Sequence, residues 1–246
     1  MMKNIVFSLL CVWMVFTSCA SRQYYVEGQS TVQSMDGRKL YLKVYKDGNL
    51  VNIDSSEVIH GVFHFTGSVD STMMVSLFMD DEGLLPLVLE DETNLQIHID
   101  KAQQYVTGSP LNDSLYNFIR AKSRLDNQMA ELPHKESRMI MDGVDEDVIM
   151  LRLNDEAQRL AAEQDRLITQ FITSNFDNVL GTGVFMILTS SFPYPIMTPQ
   201  IEEILVKATP YFKNNSYVRR YIDAARQNMN LDNVAVDSVS SIGVRP

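Results

Sequence analysis

The chain contains 246 residues, with 31 acidic against 21 basic side chains for a net charge of −10, and 45% of its residues are hydrophobic. An acidic chain repels phosphate backbones, and no basic stripe is evident in the sequence, which argues against nucleic-acid binding. The two cysteines, Cys11 and Cys19, both lie near the amino terminus. Thiol chemistry, iron–sulfur clusters and cysteine-based zinc sites are therefore excluded from the rest of the chain.

The first residues have the three parts of a bacterial export signal. Lys3 supplies a positive charge, and residues 5–16 form an apolar run that only Ser8 interrupts. This run is shorter than the ~20 apolar residues that a membrane-spanning helix needs. Small side chains at positions 17 and 18 then precede Cys19. We therefore predict that residues 1–18 are a lipoprotein signal peptide that is removed on export.

The last four residues of this region, Phe16-Thr17-Ser18-Cys19, resemble a bacterial lipobox, although smaller aliphatic residues are commoner than phenylalanine at its first position. In a lipobox the cysteine thiol receives a diacylglycerol and becomes the new amino terminus. The resemblance implies that lipid on Cys19 holds the protein to a membrane. The alternatives are an ordinary signal peptide cut near Ala20 and an uncleaved anchor.

Up to about residue 108 the hydrophobic pattern is that of short strands. In residues 38–45, Leu40, Leu42 and Val44 fall on one face, and the turn sequence Asp47-Gly48-Asn49 follows. Further strands are predicted at residues 50–53, 62–66, 73–79, 84–89 and 95–99. Short strands separated by Gly, Asp and Asn predict an antiparallel β-sandwich or open barrel, which we assign to residues 19–108.

From Ser109 onward the pattern is helical. Ser109 and Pro110 have the residue types of an N-cap and a first helical position, and Pro133 is expected to end this helix. Further helices are predicted over residues 145–175, 179–189, 199–208 and 216–229, the second of them despite Gly181 and Gly183. The predicted fold class is therefore α+β. A β module is followed by a helical module at residues 109–230 and a loose polar tail at residues 231–246.

Six segments of the chain resemble successive strands and turns of one family. They are Tyr24-Tyr25-Val26-Glu27-Gly28, Gly37-Arg38-Lys39-Leu40-Tyr41-Leu42, Phe63-His64-Phe65-Thr66-Gly67, Pro86-Leu87-Val88-Leu89, Leu95-Gln96-Ile97-His98-Ile99-Asp100 and Val106-Thr107-Gly108-Ser109-Pro110-Leu111-Asn112. They are similar to the domain of unknown function DUF4369, found at the amino terminus of many thioredoxin-like lipoproteins of anaerobic Gram-negative bacteria. Residues 171–181 also resemble the linker helices of those proteins, so the resemblance covers about residues 24–228.

The longer relatives carry a thioredoxin domain, with a Cys-x-x-Cys pair, after these helices. This chain has no such pair. The resemblance therefore does not carry oxidoreductase activity over, because that activity depends on nucleophilic thiolates. What it implies is an envelope lipoprotein that consists of the accessory domain alone.

The four histidines do not predict a metal site. His64 and His98 lie in alternating strands, whereas His60 and His134 lie near turns. If His60 and His64 share a strand, their separation of four residues places them about 13 Å apart, which is too far to share a metal ion. The chain also lacks a Gly-x-Ser-x-Gly nucleophile motif and a Gly-Lys-Ser/Thr phosphate loop.

Two clusters of carboxylates, residues 80–82 and 90–92, lie in predicted turns, where water keeps them ionised and unsuited to paired acid–base catalysis. Calcium binding by these clusters is an alternative, although the spaced calcium-loop motif is missing. Met73-Met74 and Met139-Ile140-Met141 have thioethers that bind copper(I), but methionines on apolar faces more often fill a core. We therefore predict no catalytic, cofactor-binding or metal-binding residues.

The function expected from the sequence is that of a non-catalytic cell-envelope lipoprotein with a binding or scaffolding role. Its contacts with a protein partner are expected at strand edges and in the apolar region 179–197. Residues 20–23 lack the acidic run that resembles a surface-export signal, which favours the periplasmic face of the outer membrane. Two alternatives remain open: an accessory subunit acting in trans with a thioredoxin-like oxidoreductase, and a hydrolase with an unrecognised site.

Overall fold

The structure, a computed structural model, describes residues 23–46 and 48–242, with side chains as far as residue 229. The signal peptide predicted at residues 1–18 and the lipidation predicted at Cys19 therefore lie outside the described residues. The described part begins with eight strands. They are β1 Gln23–Ser30, β2 Lys39–Lys46, β3 Asn49–Glu57, β4 Val62–Ser68, β5 Met73–Met79, β6 Glu82–Leu89, β7 Asn94–Ile99 and β8 Gln104–Thr107.

The strands form two four-stranded sheets. Sheet A has the order β4-β1-β7-β8, and sheet B has the order β3-β2-β5-β6. Every pairing is antiparallel except that of β1 with β7, which is parallel. A parallel pair needs a long connection, and here the chain forms β2 to β6 between the two partners. The predicted α+β class, with a β-rich amino-terminal part followed by helices, is confirmed.

The inner faces of the two sheets form a dry core because apolar residues alternate along each strand. The buried side chains on these faces are Tyr24, Val26, Leu40, Leu42, Phe63, Phe65, Val75, Leu77, Leu85, Leu87, Leu89, Leu95, Ile97, Ile99 and Val106. Truncating one such leucine to alanine typically costs about 2–5 kcal/mol of stability, so this core accounts for much of the fold's stability.

Helices make up the rest of the described chain. They are α1 Pro110–Ala130, α2 Leu132–Met141, α3 Glu146–Ser174, α4 Val179–Ser190, α5 Pro199–Lys207, α6 Pro210–Asn214 and α7 Ser216–Ile242. As predicted, the Ser109 side chain caps α1, accepting a hydrogen bond from the Asn112 backbone N–H at 3.3 Å. Among these helices none has the length and hydropathy of a membrane span.

Two helix boundaries differ from the sequence prediction. Helix α1 ends at Ala130, but Pro133 then stands in the first turn of a new helix, α2. Proline is tolerated there because the first N–H groups of a helix have no intrahelical partner. Helix α7 continues to Ile242 rather than ending near Met229. No glycine or proline occurs between its start and Gly243, so nothing in the backbone forces an earlier end.

The two glycines of α4 are explained by close packing. A Cβ atom added at Gly181 would overlap the backbone carbonyl oxygen of Asn175, at the end of α3. One added at Gly183 would overlap the sulfur of Met74 on β5. Glycine therefore lets α4 approach both α3 and the outer face of sheet B, which outweighs its poor helix propensity.

Helix α1 closes the outer edge of sheet B. The buried Asn112 side chain accepts a hydrogen bond from the Val88 N–H at 2.9 Å and donates one to the Val88 carbonyl at 2.8 Å. One turn later, the Tyr116 hydroxyl donates to the Pro86 carbonyl at 2.8 Å. These side chains take the place of a further strand on β6, so its edge carries no free backbone groups at these residues.

Candidate functional site

The structure does not bring the four histidines together. His60 lies in the turn before β4 with a positive φ of 53°, as predicted, so it does not share a strand with His64. His64 is exposed on the outer face of sheet A, and His134 is exposed on α2. His98 stacks on Tyr105 with ring centroids 4.8 Å apart. Among the described residues, no three His, Cys, Asp or Glu side chains form a group suited to a metal ion.

The two carboxylate clusters have different surroundings. Residues 80–82 are exposed, and Asp80 forms an ion pair with Arg38. In the second cluster Glu90 is half-buried, and its Oε2 atom is shielded from solvent with no hydrogen-bond partner in the part of the chain that the structure describes. The expectation that water surrounds every carboxylate of these turns therefore does not hold for Glu90, because Glu90 directly follows the buried end of β6.

A cleft of about 340 Å³ lies where the helices meet the outer face of sheet B. We call it the junction cleft. The sheet contributes Lys43, Tyr45, Leu50, Met73 and Met74 to its walls, and the helices contribute Met186, Ile187, Tyr211 and Tyr217. A mostly apolar cavity of this size between two structural units is a common place for a ligand or a partner's side chain.

Aromatic packing holds one wall of the junction cleft in place. The rings of Tyr45 and Tyr217 meet edge to face with centroids 5.3 Å apart. The hydroxyls of Tyr217 and Thr189 share a hydrogen bond of 2.7 Å. Burial raises the pKa of the Tyr217 phenol, so this hydroxyl stays protonated at neutral pH. The wall therefore offers neutral aromatic surface rather than a catalytic base.

Two cations stand over aromatic rings of sheet B, one of which belongs to the cleft. The Lys43 ammonium lies 4.5 Å from the centre of the Phe78 ring, and the Arg220 guanidinium lies 5.8 Å from that of Tyr45. Contacts of this kind stabilise a cation by about 0.5–1 kcal/mol at exposed sites. They place positive charge beside an apolar cleft in a protein whose net charge is negative.

Strand β3 borders the junction cleft and forms the other edge of sheet B. We call residues 49–53 of this strand the free edge. Three large apolar side chains are exposed there, Leu50 by 53%, Val51 by 41% and Ile53 by 38%. Lysine and proline, which commonly block strand edges, are absent from the free edge.

The free edge differs from the neighbouring part of β3. Beyond it, the Ser56 hydroxyl accepts a hydrogen bond from the His64 backbone N–H at 3.1 Å, so this end of β3 meets β4. A bulge at Ile53 separates the two parts, since Leu42 pairs with Asp54 and Lys43 pairs with Asn52. Within the described chain, the free edge is paired on one side only, with β2.

The apolar region 179–197 is divided between core and surface. Leu180, Val184 and Phe185 of α4 are buried, whereas Ile187 and Tyr194 are exposed. The hydrophobicity of this region predicted a contact surface for a protein partner. The same hydrophobicity buries one side of α4 against sheet B and the other helices. The large apolar side chains that remain exposed are Ile187, which lines the junction cleft, and Tyr194 in the loop after α4.

Comparison with known proteins identifies one domain of the chain. Residues 24–115 match the family model described as "Domain of unknown function (DUF4369)". Among curated proteins, no significant match to this chain was found. The matched region extends past the predicted module boundary at residue 108, and it includes Asn112, which closes the edge of β6. Residues 24–115 of this chain are therefore a domain of the DUF4369 family, as the sequence resemblance predicted.

Proposed function

We propose that this protein is a non-catalytic binding protein of the bacterial cell envelope, held by lipid on Cys19 at the periplasmic face of the outer membrane. Its role is to bind an extended segment of another envelope protein along the free edge. The observation that carries the binding role is the exposure of Leu50, Val51 and Ile53 on a strand edge that has no second strand partner among the described residues.

Strand addition explains how such an edge binds. An extended segment that lies beside residues 49–53 pairs with the N–H and C=O groups of β3 that point away from β2, and adds a strand to sheet B. Its alternate side chains then contact the exposed apolar residues of the free edge. Leu50 belongs to both the free edge and the junction cleft, so one side chain of the segment has the cleft within reach.

The lipid anchor rests on the amino-terminal pattern of charge, apolar run and lipobox-like sequence. Strand β1 begins at Gln23, four residues after Cys19. At no more than ~3.6 Å per residue, this tether spans at most about 14 Å. The proposed anchor therefore holds the start of the β-sandwich close to the lipid headgroups.

Site-specific photo-crosslinking in the intact envelope tests the binding role. We expect a crosslinking residue at position 51 to capture one protein through one extended segment, because the free edge pairs with it directly. Position 104, an exposed residue on the edge strand β8 of sheet A, is the matched control. Equal products from both positions, or none from position 51, would contradict the proposal. A captured thioredoxin-like protein would favour the accessory role in trans.

Metabolic labelling with a fatty-acid analogue tests the anchor. We expect the wild-type protein to be labelled and the Cys19→Ser variant to be unlabelled and released from membranes, because Cys19 is the proposed acylation site. Equal labelling of the two proteins would remove the anchor from the proposal. The binding role would then be judged by the crosslinking alone.

A further inference from the structure

The grooves between the first three helices include one that is rich in positive charge. A cavity of about 610 Å³ lies between α1, α2 and α3. Its walls carry Arg124 from α1, Lys135 from α2, and Arg159 and Arg166 from α3. The carboxylates among its lining residues are Glu156 and Glu163, so four cations face two anions for a local charge of +2. We call this cavity the arginine groove.

The arginines of the groove are not used in ion pairs of the fold. Lys135 is bonded to Glu156, which neutralises one cation with one of the two carboxylates. Arg124, Arg159 and Arg166 take part in none of the salt bridges among the described residues. Arg159 has acidic residues four positions away on both sides, Asp155 and Glu163, and pairs with neither.

The spacing of the arginines explains why they meet. Arg159 and Arg166 are seven residues apart, which is about two helical turns, so both lie on the same face of α3. Arg124 faces them from α1 across the groove. The floor between the helices is apolar, since Leu125 and Leu160 are buried there. The three arginine side chains are themselves exposed, so their guanidinium groups are open to an anion that approaches from solvent.

We propose that the arginine groove binds a phosphate-bearing ligand, such as a phosphate ester or a diphosphate. A planar guanidinium donates two parallel hydrogen bonds to phosphate oxygens, and arginine is favoured wherever planar bidentate recognition is needed. A doubly charged phosphate matches the local charge of +2, and its several oxygens engage arginines from both walls. A single carboxylate has one charge and two oxygens, so it neither balances the local charge of +2 nor supplies acceptors for all three arginines.

The groove is independent of the free edge. It lies between the first three helices, whereas the free edge and junction cleft are formed by sheet B with α4, α6 and α7. The same phosphate chemistry is present in soluble phosphate esters and in anionic phospholipid headgroups. If the ligand is a phospholipid headgroup, lipid occupies the groove when the protein is held at a membrane. If the ligand is a soluble phosphate ester, the groove stays open to solvent there.

Titration calorimetry with inorganic pyrophosphate tests the proposal, using the full chain in phosphatidylcholine nanodiscs. We expect binding to weaken at least tenfold in the Arg159→Gln/Arg166→Gln double variant and in Arg124→Gln, because each change removes charge-assisted hydrogen bonds. The control is Arg120→Gln, which removes an exposed arginine of α1 that does not line the groove. Its affinity is expected to stay within about twofold of wild type, because Arg120 does not line the groove and donates no hydrogen bond to a ligand there.

The same titration in nanodiscs that contain phosphatidylglycerol identifies the source of the phosphate. A loss of pyrophosphate affinity there assigns the groove to lipid headgroups, and an unchanged affinity assigns it to soluble phosphate esters. The proposal is overturned if wild type binds no pyrophosphate in either lipid, or if the groove variants bind as tightly as Arg120→Gln. Thermal unfolding of each variant shows that it is folded. Arg124→Gln tests the wall formed by α1 separately from the wall formed by α3, which carries Arg159 and Arg166.

Discussion

The outer faces of the two sheets differ although both belong to one sandwich. On sheet A the outward residues of β1 and β4, such as Tyr25, Glu27 and His64, are exposed. On sheet B the outward residues of β5 and β6 include Met74 and Val88, and they lie against helices. The outer face of sheet A is in contact with solvent, whereas the outer face of sheet B packs against the helices.

The difference follows from the strands themselves. In β1 the burial alternates along nearly the whole strand, as expected when one face packs and the other is solvated. In β6 three consecutive residues, Leu87, Val88 and Leu89, are buried. A strand that is apolar on both faces needs a second covering layer. The helices supply that layer, and Asn112 and Tyr116 close the strand edge that it covers.

Phe185→Ala should have the largest effect on this arrangement. Phe185 is fully buried in α4 and meets Phe212 with ring centroids 5.4 Å apart and Tyr221 at 5.6 Å. Its loss leaves a cavity in the covering layer, and we expect a destabilisation of about 3–5 kcal/mol by chemical denaturation. Tyr25→Ala on the open face should cost less than about 1 kcal/mol. Equal losses would mean that the two faces do not differ energetically.

Asn112→Ala should have the next largest effect. It leaves the N–H and the C=O of Val88 without partners in a buried place, and we expect a loss of about 2–3 kcal/mol. Hydrogen exchange should quicken at Val88 while the amides of β7 stay protected. Asn117→Ala, at an exposed position on the same helix, is the control and should change stability by less than about 0.5 kcal/mol. Faster exchange throughout both sheets would contradict a local role for Asn112.

Tyr116→Phe should have the smallest effect, and one that depends on pH. At neutral pH the variant loses the hydrogen bond to the Pro86 carbonyl, which is worth about 1 kcal/mol. Burial raises the pKa of the Tyr116 phenol in the folded protein. The folded state therefore keeps its proton above pH ~10, where the unfolded chain loses it.

The sign of the pH effect follows from this raised pKa. The stabilisation by Tyr116 is fully present below the unfolded pKa and is lost as the pH rises toward the folded pKa. Phenylalanine does not ionise, so the stability difference between wild type and variant should shrink between pH 8 and pH 11. Tyr25→Phe, at an exposed position on the open face, is the matched control for the loss of a phenol hydroxyl. A stability difference between wild type and Tyr116→Phe that grows with pH would contradict burial as the cause of the raised pKa of Tyr116.

Regular elements with a strong local period were predictable. Strand β5 spans Met73–Met79, the range that alternation predicts, and α3 spans Glu146–Ser174 within one residue of the prediction. The parallel pairing of β1 with β7 was not predictable, because it joins segments separated by five other strands. Helix α2 was missed because Pro133 is compatible with either the end of one helix or the start of the next.

The candidate sites were predictable only in part. The pattern indicated that residues 50–53 form a strand, but the position of β3 at an edge depends on how all the strands of sheet B are ordered. For the arginine groove the heptad spacing of Arg159 and Arg166 was a usable signal within α3. The contribution of Arg124 depends on the packing of α1 against α3, which no local pattern specifies.

By itself, the sequence determined where strands and helices form, which family the first domain belongs to, and that no Cys-x-x-Cys pair is present. These properties depend on residue type and on periods of two or about four residues, which are local in the chain. Only the tertiary structure decided which sheet face is covered, which strand edge lacks a partner among the described residues and where Arg124, Arg159 and Arg166 meet. Those features depend on contacts between residues far apart in sequence, because burial and electrostatic pairing act through space rather than along the chain.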